Sequence, residues 1–511
     1  MENTTTNRER WGTKLGVILA VAGSAVGLGN FLRFPVQAVR NGGGVFMIPY
    51  FVSLLLLGIP LMWIEWTIGR FGGGFGHGTA PGIFHSMWAK NRFIKYFGVI
   101  GIFGPLVIFM YYSYIESWLL GYTILSLTPK YATISSAEQF ASFLNWYRES
   151  PISYIFFVIT FIINVLIIYG GIKKGIEKFC NWAMPVLFLL AVFLVLRVLT
   201  LNIGDSANSN WSPINGLGYL WKPDFSKLWD AKVWLAAAGQ VFFTLSVGIG
   251  VILTYASYLK KDDDVVLSGL TSTATNEFAE VVLGGSLIVP AAFTFLGPEK
   301  IVEVATSSAF DLGFVTMPMI FKSIPAGGLF AFMWFLLLFL AGVTSSVSLA
   351  QPVIAFLEDE FDLEKYDATI IFGLVTFLLC QPAVFLLKYG VVDELDFWGG
   401  TFSLVLFGCV EAILFSWIFG IDRAWEEMHS GSDIKIPKFY KFIIKYITPI
   451  VLIIILISFL LQNGLKVILL KNVPQQNVPI IIFSRIYLLT LFALLAILVR
   501  FAWKNKKISR I

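Results

Sequence analysis

Charged residues are scarce in this 511-residue chain, and cysteine and histidine are almost absent. Asp, Glu, Lys and Arg make up 14% of the sequence, whereas soluble domains carry about 25%. The three cysteines are isolated in apolar segments and the three histidines form no spaced cluster with them, which excludes a readable disulfide framework or zinc site. The net charge of +5 comes from basic residues scattered among short loops, so it does not indicate a nucleic-acid partner.

Long apolar runs fill the sequence instead. Hydrophobic residues make up 57% of the chain, and its mean hydropathy is +0.78. Each run is long enough to cross a hydrocarbon core of about 30 Å as a helix. The pattern predicts an all-α polytopic membrane protein, a single transmembrane domain over 1–511, with twelve transmembrane helices at 14–39, 45–70, 93–127, 152–171, 177–198, 230–258, 262–293, 325–358, 364–386, 390–420, 436–464 and 478–503.

The distribution of basic residues predicts the orientation of these segments. Lys and Arg concentrate before the first segment, in alternate loops and in the tail, whereas the opposite loops hold few of them. Because basic loops stay on the cytoplasmic side, both termini are expected on the cytoplasmic side of a cell membrane. The first segment is too long for a signal peptide and no small-residue cleavage pattern follows it, so it is expected to remain attached.

Two segments carry glycine pairs at their centres. The first contains VGLG at 26–29, and the sixth contains VGIG at 247–250. Each glycine in a helix interior costs about 1 kcal/mol relative to alanine. Close helix packing through small residues explains one such pair. Two matching interruptions five segments apart favour an inverted-repeat transporter, here segments 1–5 against 6–10, with its site at the breaks.

An unwound segment at membrane depth releases backbone groups that lipid cannot satisfy, so they must line a cavity and bind something. A half-helix that begins near Leu28 presents N–H groups and a positive dipole end, which suit a carboxylate. Carbonyls released near Ala25, Phe243 and Thr244 suit an ammonium group or a desolvated Na⁺. Together these groups suit an α-amino acid zwitterion.

Further polar side chains lie at membrane depth. Asn30, Thr244, Ser246, Asn276 and the run 344–346 offer the oxygens that a hard cation accepts, although a lone Ser or Thr often bonds back to its own helix. The buried acids are expected to be functional or paired. For Glu65, Glu116 and Glu411 a structural hydrogen-bonding role is expected, while Arg33 and Asp396 either pair across a vestibule or are separately solvated.

Several motifs together resemble those of one family. They are AGSAVGLGNFLRFP at 22–35, NGGGVFMIPY at 41–50, IPLMWIEW at 59–66, GQVFFTLSVGIG at 239–250 and TSSVSLAQP at 344–352. The chain resembles the neurotransmitter:sodium symporter family over nearly its whole length, and most closely the bacterial leucine transporter members. The resemblance implies a five-plus-five inverted repeat with unwound helices 1 and 6, repeat one at about 14–198, repeat two at about 230–420, and helices 11 and 12 beyond them.

The resemblance also implies sites for two co-transported Na⁺ ions and a substrate. The first Na⁺ would be held by Ala25, Asn30, Thr244 and Asn276, and the second by Gly23, Val26, Ala341, Thr344 and Ser345. The substrate-binding residues would be Ala25, Leu28, Gly29, Ile108, Tyr112, Phe243, Thr244, Ser246, Ile249, Ser345 and Leu349. The implied function is import of a neutral, hydrophobic amino acid with Na⁺ by alternating access.

The resemblance also implies two gates and a carboxylate that takes the place of a bound anion. Arg33 and Asp396 match the outer pair, with Phe243 and Tyr112 as a lid and Gln240 one turn from Phe243. The inner pair is matched by Arg8 and Asp359, supported by Trp11 and Tyr258. Glu280 stands where chloride-dependent animal members have serine, so its carboxylate is expected to replace a chloride ion. The resemblance implies a bacterial inner-membrane location and is compatible with a homodimer.

Some positions differ from those of the leucine transporter. The loop 128–151 is shorter, Ile249 stands in place of phenylalanine and Ile108 in place of valine, so leucine is not assumed as the substrate.

Two other functions compete with transport. An intramembrane enzyme would need a nucleophile and base or a metal set, and neither spacing is present. A channel would need a continuous polar lining, whereas the polar residues here form one midplane band.

Overall fold

The computed structural model describes residues 9–201, 210–307, 309–471 and 473–505, and no β-strand occurs among them. Ten helices in these ranges are long and apolar enough to span a membrane. They are α2 (Gly44–Gly73), α3 (Ile94–Leu125), α4 (Pro151–Tyr169), α5 (Ile172–Leu199), α7 (Val265–Ala305), α8 (Gly327–Phe361), α9 (Lys365–Phe385), α10 (Val391–Ile418), α11 (Phe439–Gln462) and α12 (Gln475–Lys504).

The first and sixth predicted segments are each in two pieces. The first comprises α1a (Lys14–Ala25) and α1b (Gly29–Arg40), bent by 47° at the break. The sixth comprises α6a (Ala231–Thr244) and α6b (Val251–Ala256), each too short to span a membrane alone. Shorter helices connect the spans at Ala80–Met87, Pro129–Ala132, Ala137–Glu149, Pro213–Trp221, Leu312–Lys322 and Ile421–Met428.

These helices confirm the predicted all-α polytopic fold, and the interruptions in the first and sixth segments agree with the expected unwinding there. The predicted and observed ends differ by five residues or fewer, except at the end of α7, which continues to Ala305 where the sequence predicted 293. The extension follows a kink at Gly297, where φ is 78°. Within the described residues the twelve predicted segments correspond to ten apolar helices, of which α7 is kinked at Gly297, together with a bent α1 and a divided α6.

The two breaks have different backbone geometry. In helix 1 the chain leaves the helix at Val26, whose ψ of 90° is extended, and the Gly27 N–H donates to Asn30 Oδ1 at 2.8 Å. In helix 6 three residues have left-handed φ: 54° at Ser246, 75° at Gly248 and 90° at Gly250. Glycine adopts such angles without strain, so the two glycines allow α6 to turn back into a helix.

The helices α3 and α8 pack against each other, and α8 also packs against α1a and α6b. The site therefore has continuous helices on one side and both broken helices on the other. At the second break Glu65 on α2 accepts a hydrogen bond from the Gly248 N–H. This carboxylate compensates a backbone group that unwinding would leave unsatisfied in the membrane.

We expect Gly248→Ala to destabilise the fold. A Cβ at Gly248 would lie 2.4 Å from the Leu404 carbonyl oxygen and 2.8 Å from Phe242 Cζ, in a backbone conformation that alanine disfavours. The expected loss is about 2 kcal/mol, measured as a lower midpoint of thermal unfolding in detergent. Gly239→Ala is the matched control on α6a, because nothing lies within 4 Å of that Cβ. Equal midpoints for the two variants would contradict the assigned break geometry.

Candidate functional site

Three helices meet at the two breaks through side chains that bond to the same carbonyl. The hydroxyl of Ser246, in the α6 break, donates to the Ser24 carbonyl at 3.0 Å. The hydroxyl of Ser345 on α8 donates to that carbonyl at 3.2 Å and to the Ala341 carbonyl at 3.0 Å. The end of α1a is thus joined to α6 and α8 at one point.

One cavity of about 760 Å³ begins at this junction. All eleven predicted substrate-binding residues line it. Its wall beside the breaks is apolar and includes Ile108, Ile249 and Leu349, each less than 10% exposed. The cavity continues to an end of the molecule that we call the vestibule face, where the exposed residues Arg40, Lys232 and Gln462 line it.

A buried cluster of oxygen and amide groups lies next to the cavity. Asn30 Nδ2 donates to Asn276 Oδ1 at 2.8 Å, to Glu280 Oε2 at 3.2 Å and to Thr244 Oγ1 at 3.3 Å. Thr244 Oγ1 also donates to Glu280. All four side chains are 2% exposed or less. The three side chains predicted for the first Na⁺ site therefore contact one another, and Glu280 adds a carboxylate.

The Asn30 amide has a definite orientation in this cluster. Its Nδ2 points at the other oxygens, and its Oδ1 accepts from the Gly27 N–H. Na⁺ binds oxygen, so a cation among Asn30, Thr244 and Asn276 requires this amide to turn. Turning would release the Gly27 N–H at the helix break, which couples the ion to the backbone that faces the cavity.

A second group of oxygens lies between α1a and α8. Thr344 Oγ1 donates to the Ala341 carbonyl at 3.1 Å, and Ser345 Oγ lies 3.4 Å from the Gly23 carbonyl oxygen. A Cβ at Gly23 would lie only 3.1 Å from Thr344 Cβ. Four of the five residues predicted for the second Na⁺ site are thus in contact, and Val26 follows at the end of α1a.

The aromatic hydroxyl of Tyr112 faces the first break. It interacts with the Leu28 backbone and with Ser345. A Cβ at Gly27 would lie 3.3 Å from this hydroxyl and 3.0 Å from Ser345 Oγ, so glycine leaves space there. A phenolic donor, the N–H groups at the start of α1b and a helix N-terminus together suit an anion such as a carboxylate.

The predicted outer pair is separated. Asp396 accepts from Tyr111 Oη at 2.6 Å, while the Arg33 guanidinium lies 4.1 Å from the centre of the Phe243 ring. Among the described residues Arg33 makes no ion pair with Asp396. Gln240 points elsewhere, because its Nε2 donates to Glu280 Oε1 at 2.8 Å. Both Arg33 and Asp396 line the cavity.

The opposite end, which we call the N-terminal face, is closed by aromatic side chains. The Trp11 indole donates to the Tyr255 carbonyl at 3.0 Å and meets the Tyr255 ring edge-on at 5.2 Å. The Tyr258 hydroxyl accepts from Gln351 at 2.9 Å. Asp359 lies near the end of α8, and its predicted partner Arg8 lies outside the described residues.

Of the other buried acids, Glu116 makes hydrogen bonds of the expected kind, whereas the two carboxylate oxygens of Glu411 have no hydrogen-bond partner among the described residues. Glu116 on α3 accepts from Asn164 Nδ2 at 3.1 and 3.2 Å. Ser346, beside the second oxygen group, donates to Asn164 Oδ1 at 2.8 Å. Glu411 on α10 lies beside Glu65, which anchors the α6 break.

Sequence reasoning missed two residues of this site. Ser24 supplies the carbonyl that joins α1, α6 and α8, and its position directly before the break was the available signal. Tyr111 holds Asp396. It adjoins Tyr112, but a helix places consecutive residues on different faces, so no sequence pattern connects Tyr111 with the outer pair.

A cavity at two helix breaks, with buried side-chain oxygens beside it, is typical of a secondary transporter. The model of the sodium:neurotransmitter symporter family matches residues 8–142 and 152–504. The chain belongs to this family, which consists of transporters and not enzymes, and it is a multi-pass membrane protein that couples transport to sodium.

Named relatives agree with this assignment. An uncharacterised sodium-dependent transporter of Methanocaldococcus jannaschii is 32% identical, covering 87% of this chain and 89% of its own. A sodium-dependent dopamine transporter of Caenorhabditis elegans is 25% identical over 88% of this chain and 80% of its own. The crystal structure of MhsT in complex with L-phenylalanine matches with a TM-score of 0.75 and 31% identity, over 88% of this chain and all of that one.

We expect Tyr111→Phe to favour closure of the vestibule. Without the Tyr111 hydroxyl, Asp396 loses a hydrogen bond worth about 1.5 kcal/mol and gains freedom to pair with Arg33, a shift of about tenfold in the open-to-closed ratio. The measurement is the labelling rate of a cysteine placed at Leu235 in the vestibule, since the native cysteines are buried. Tyr122→Phe, which removes a buried hydroxyl without a hydrogen-bond partner in the described chain, is the control. An unchanged rate in Tyr111→Phe would contradict this role.

Proposed function

We propose that the protein imports a neutral, apolar amino acid together with two Na⁺ ions. The observation that carries the proposal is the convergence of both helix breaks on one cavity that has an apolar wall and two adjacent oxygen groups. The α-carboxylate would lie at the start of α1b beside Tyr112. The α-ammonium would meet carbonyls of Ala25 and of the α6 break.

The apolar wall defines the substrate class. Ile108, Ile249 and Leu349 offer the substrate side chain no charge or hydrogen bond. The charged residues that line the cavity, including Arg33 and Asp396, belong to its path toward the vestibule face. A charged substrate side chain would be desolvated against the apolar wall without a partner, so the site rejects it. The relative crystallised with L-phenylalanine supports a hydrophobic side chain.

Two ions give the coupling enough energy. With a membrane potential of 100 mV and a tenfold gradient, two Na⁺ ions supply about 7 kcal/mol against a neutral zwitterion, enough for about 10⁵-fold accumulation. The first ion would complete its shell with the substrate carboxylate beside Asn30, Thr244 and Asn276. The second would bind between the end of α1a and Thr344 and Ser345, away from the substrate.

The direction of access follows from the charge pattern. The concentration of Lys and Arg in the loops expected on the N-terminal face supports a cytoplasmic position for that face, and the vestibule face would then be external. Alternating access would then close Arg33 onto Asp396 and release the Trp11–Tyr255 contact. The helices of the two repeats would move around a site that stays at the midplane.

The test is uptake into proteoliposomes with Na⁺ replaced by K⁺. We expect concentrative uptake of a hydrophobic amino acid in Na⁺ and none in K⁺, because the larger ion does not fit oxygens that contact one another. A charged amino acid such as lysine serves as the substrate control and is not accumulated. Undiminished uptake in K⁺ would disprove sodium coupling, and accumulation of lysine would disprove the substrate class.

The two ion sites differ in their link to the substrate. We expect Asn276→Ala to weaken Na⁺ and amino acid binding together, by about tenfold each, because the carboxylate shares that ion. Thr344→Ala is expected to lower chiefly the affinity for Na⁺. At saturating Na⁺ its affinity for the amino acid should remain near that of the wild type. Isothermal titration at several Na⁺ concentrations measures both effects. Identical Na⁺ dependence in both variants and wild type would contradict the assigned sites.

We expect transport to be independent of chloride, because Glu280 supplies the negative charge beside the first ion. The carboxylate contacts Thr244, Asn30 and Gln240, so it lies where an anion would compensate Na⁺. Glu280→Ser should make Na⁺-driven uptake dependent on external chloride, measured with gluconate as the replacement ion. A Glu280 that is protonated throughout would create no anion requirement in this variant. Loss of wild-type uptake in gluconate would also contradict the proposal.

A further inference from the structure

Three lysines lie together at the start of α11, away from the substrate cavity. Lys441 and Lys445 belong to the first two turns of α11, and Lys438 directly precedes the helix. Because residues three or four positions apart share one face of a helix, these side chains form a single row, which we call the lysine stripe. The loop before the stripe contacts Lys14 through Asp433 at 3.1 Å, which places the stripe on the N-terminal face.

The charge of the lysine stripe is only partly compensated. Like charges on one helix face repel one another, so such a row favours a nearby anion. Asp422, in the helix Ile421–Met428, lies with its Oδ1 2.6 Å from Lys441 Nζ. The hydrogen bond and charge of Lys441, followed by the charge of Lys445, lower the pKa of Asp422. Lys438 and Lys445 form no ion pair within the described part of the chain, so one carboxylate serves three ammonium groups.

The lysine stripe lies at the level of the membrane interface. Trp417, in the last turn of α10, donates its indole N–H to the Lys445 carbonyl at 2.7 Å. The side chain of Trp417 is exposed, and tryptophan is enriched where the hydrocarbon core meets the headgroups. The stripe is therefore at the depth of the lipid phosphates.

An exposed apolar track runs along α11 beside the stripe. Phe439, Phe442 and Tyr446 each follow one of the three lysines by one position, so they form the neighbouring face of the helix. The Lys445 ammonium lies 5.0 Å from the centre of the Tyr446 ring, so the two faces are in contact. The exposed residues that continue the track toward the middle of α11 are Ile450, Ile454 and Ile457.

We propose that the lysine stripe and the apolar track bind an anionic phospholipid of the cytoplasmic leaflet, with its phosphate on Lys438 and Lys445 and an acyl chain along α11. Lysine clusters immediately cytoplasmic of a transmembrane helix attract anionic headgroups. A zwitterionic headgroup brings its own positive charge, so the stripe favours an anionic one. The leaflet depends on a cytoplasmic N-terminal face, whereas the lipid class does not depend on the proposed transport.

The test is native mass spectrometry of the purified protein in detergent with equal concentrations of phosphatidylglycerol and phosphatidylcholine. We expect the wild type to retain phosphatidylglycerol preferentially. Combining Lys438→Gln with Lys445→Gln removes two charges and keeps the Lys441–Asp422 pair. This double variant should bind phosphatidylglycerol at least about tenfold more weakly. Lys438→Arg with Lys445→Arg keeps both charges and should bind like the wild type.

Two controls separate this site from other sources of binding. Lys466→Gln with Lys471→Gln removes two exposed lysines beyond the other end of α11 and should keep wild-type binding. A large excess of inorganic phosphate should not displace the lipid, because it has no acyl chain for the track. Equal retention of both lipids by the wild type, unchanged binding in the Lys438 and Lys445 glutamine variant, an equal loss in the control variant, or displacement by phosphate would each overturn the proposal.

Discussion

Backbone groups released inside a membrane must find partners, and this requirement organises the structure around helices 1 and 6. Lipid offers no hydrogen bonds, so every N–H and carbonyl freed at residues 26–28 and 245–250 needs a protein group or a ligand. Glu65 binds the Gly248 N–H, Asn30 binds the Gly27 N–H, and Ser246 and Ser345 bind the Ser24 carbonyl. Gly27, Leu28, Ser246 and Ile249 of the two breaks line the cavity, so a ligand bound there could partner backbone groups that unwinding releases.

The same constraint links the ion to the substrate. Asn30 contacts the first break through Oδ1 and the oxygen cluster through Nδ2. An ion that turns this amide changes the hydrogen bonding of the Gly27 N–H, and the substrate carboxylate would compensate that group. Under the proposed function, coupling between Na⁺ and the amino acid would need no long pathway, because Asn30 would hold the ion and also bonds to the break that borders the substrate cavity.

The sequence predicted the parts of the site that depend on local pattern. The glycine pairs at 26–29 and 247–250 located both breaks, because glycine lowers the stability of a helix interior and the two pairs match in position within the two repeats. The eleven residues that the family motifs implied for substrate binding all line the cavity that begins at these breaks. Span ends were predictable because apolar runs end where polar residues begin; α7 was the exception, since its apolar pattern ends before the helix does.

Contacts between distant side chains were not predictable in the same way. Gln240 lies one turn from Phe243 in sequence, yet it binds Glu280, because α7 packs beside that face of α6a. The Tyr111–Asp396 bond and the His77–Glu360 contact join residues more than 280 positions apart. Such pairs depend on which helices pack together and on how each helix is rotated, and hydropathy determines neither.

The central claim is that Na⁺ and the amino acid share one site, and equilibrium binding on the purified protein tests it most directly. The affinity for a hydrophobic amino acid such as L-phenylalanine is measured over a range of Na⁺ concentrations at constant ionic strength, with K⁺ as the balancing ion. A shared site predicts that the apparent Kd falls steeply as Na⁺ rises and that the amino acid raises Na⁺ affinity by the same factor. Amino acid binding of equal affinity with and without Na⁺ would contradict it.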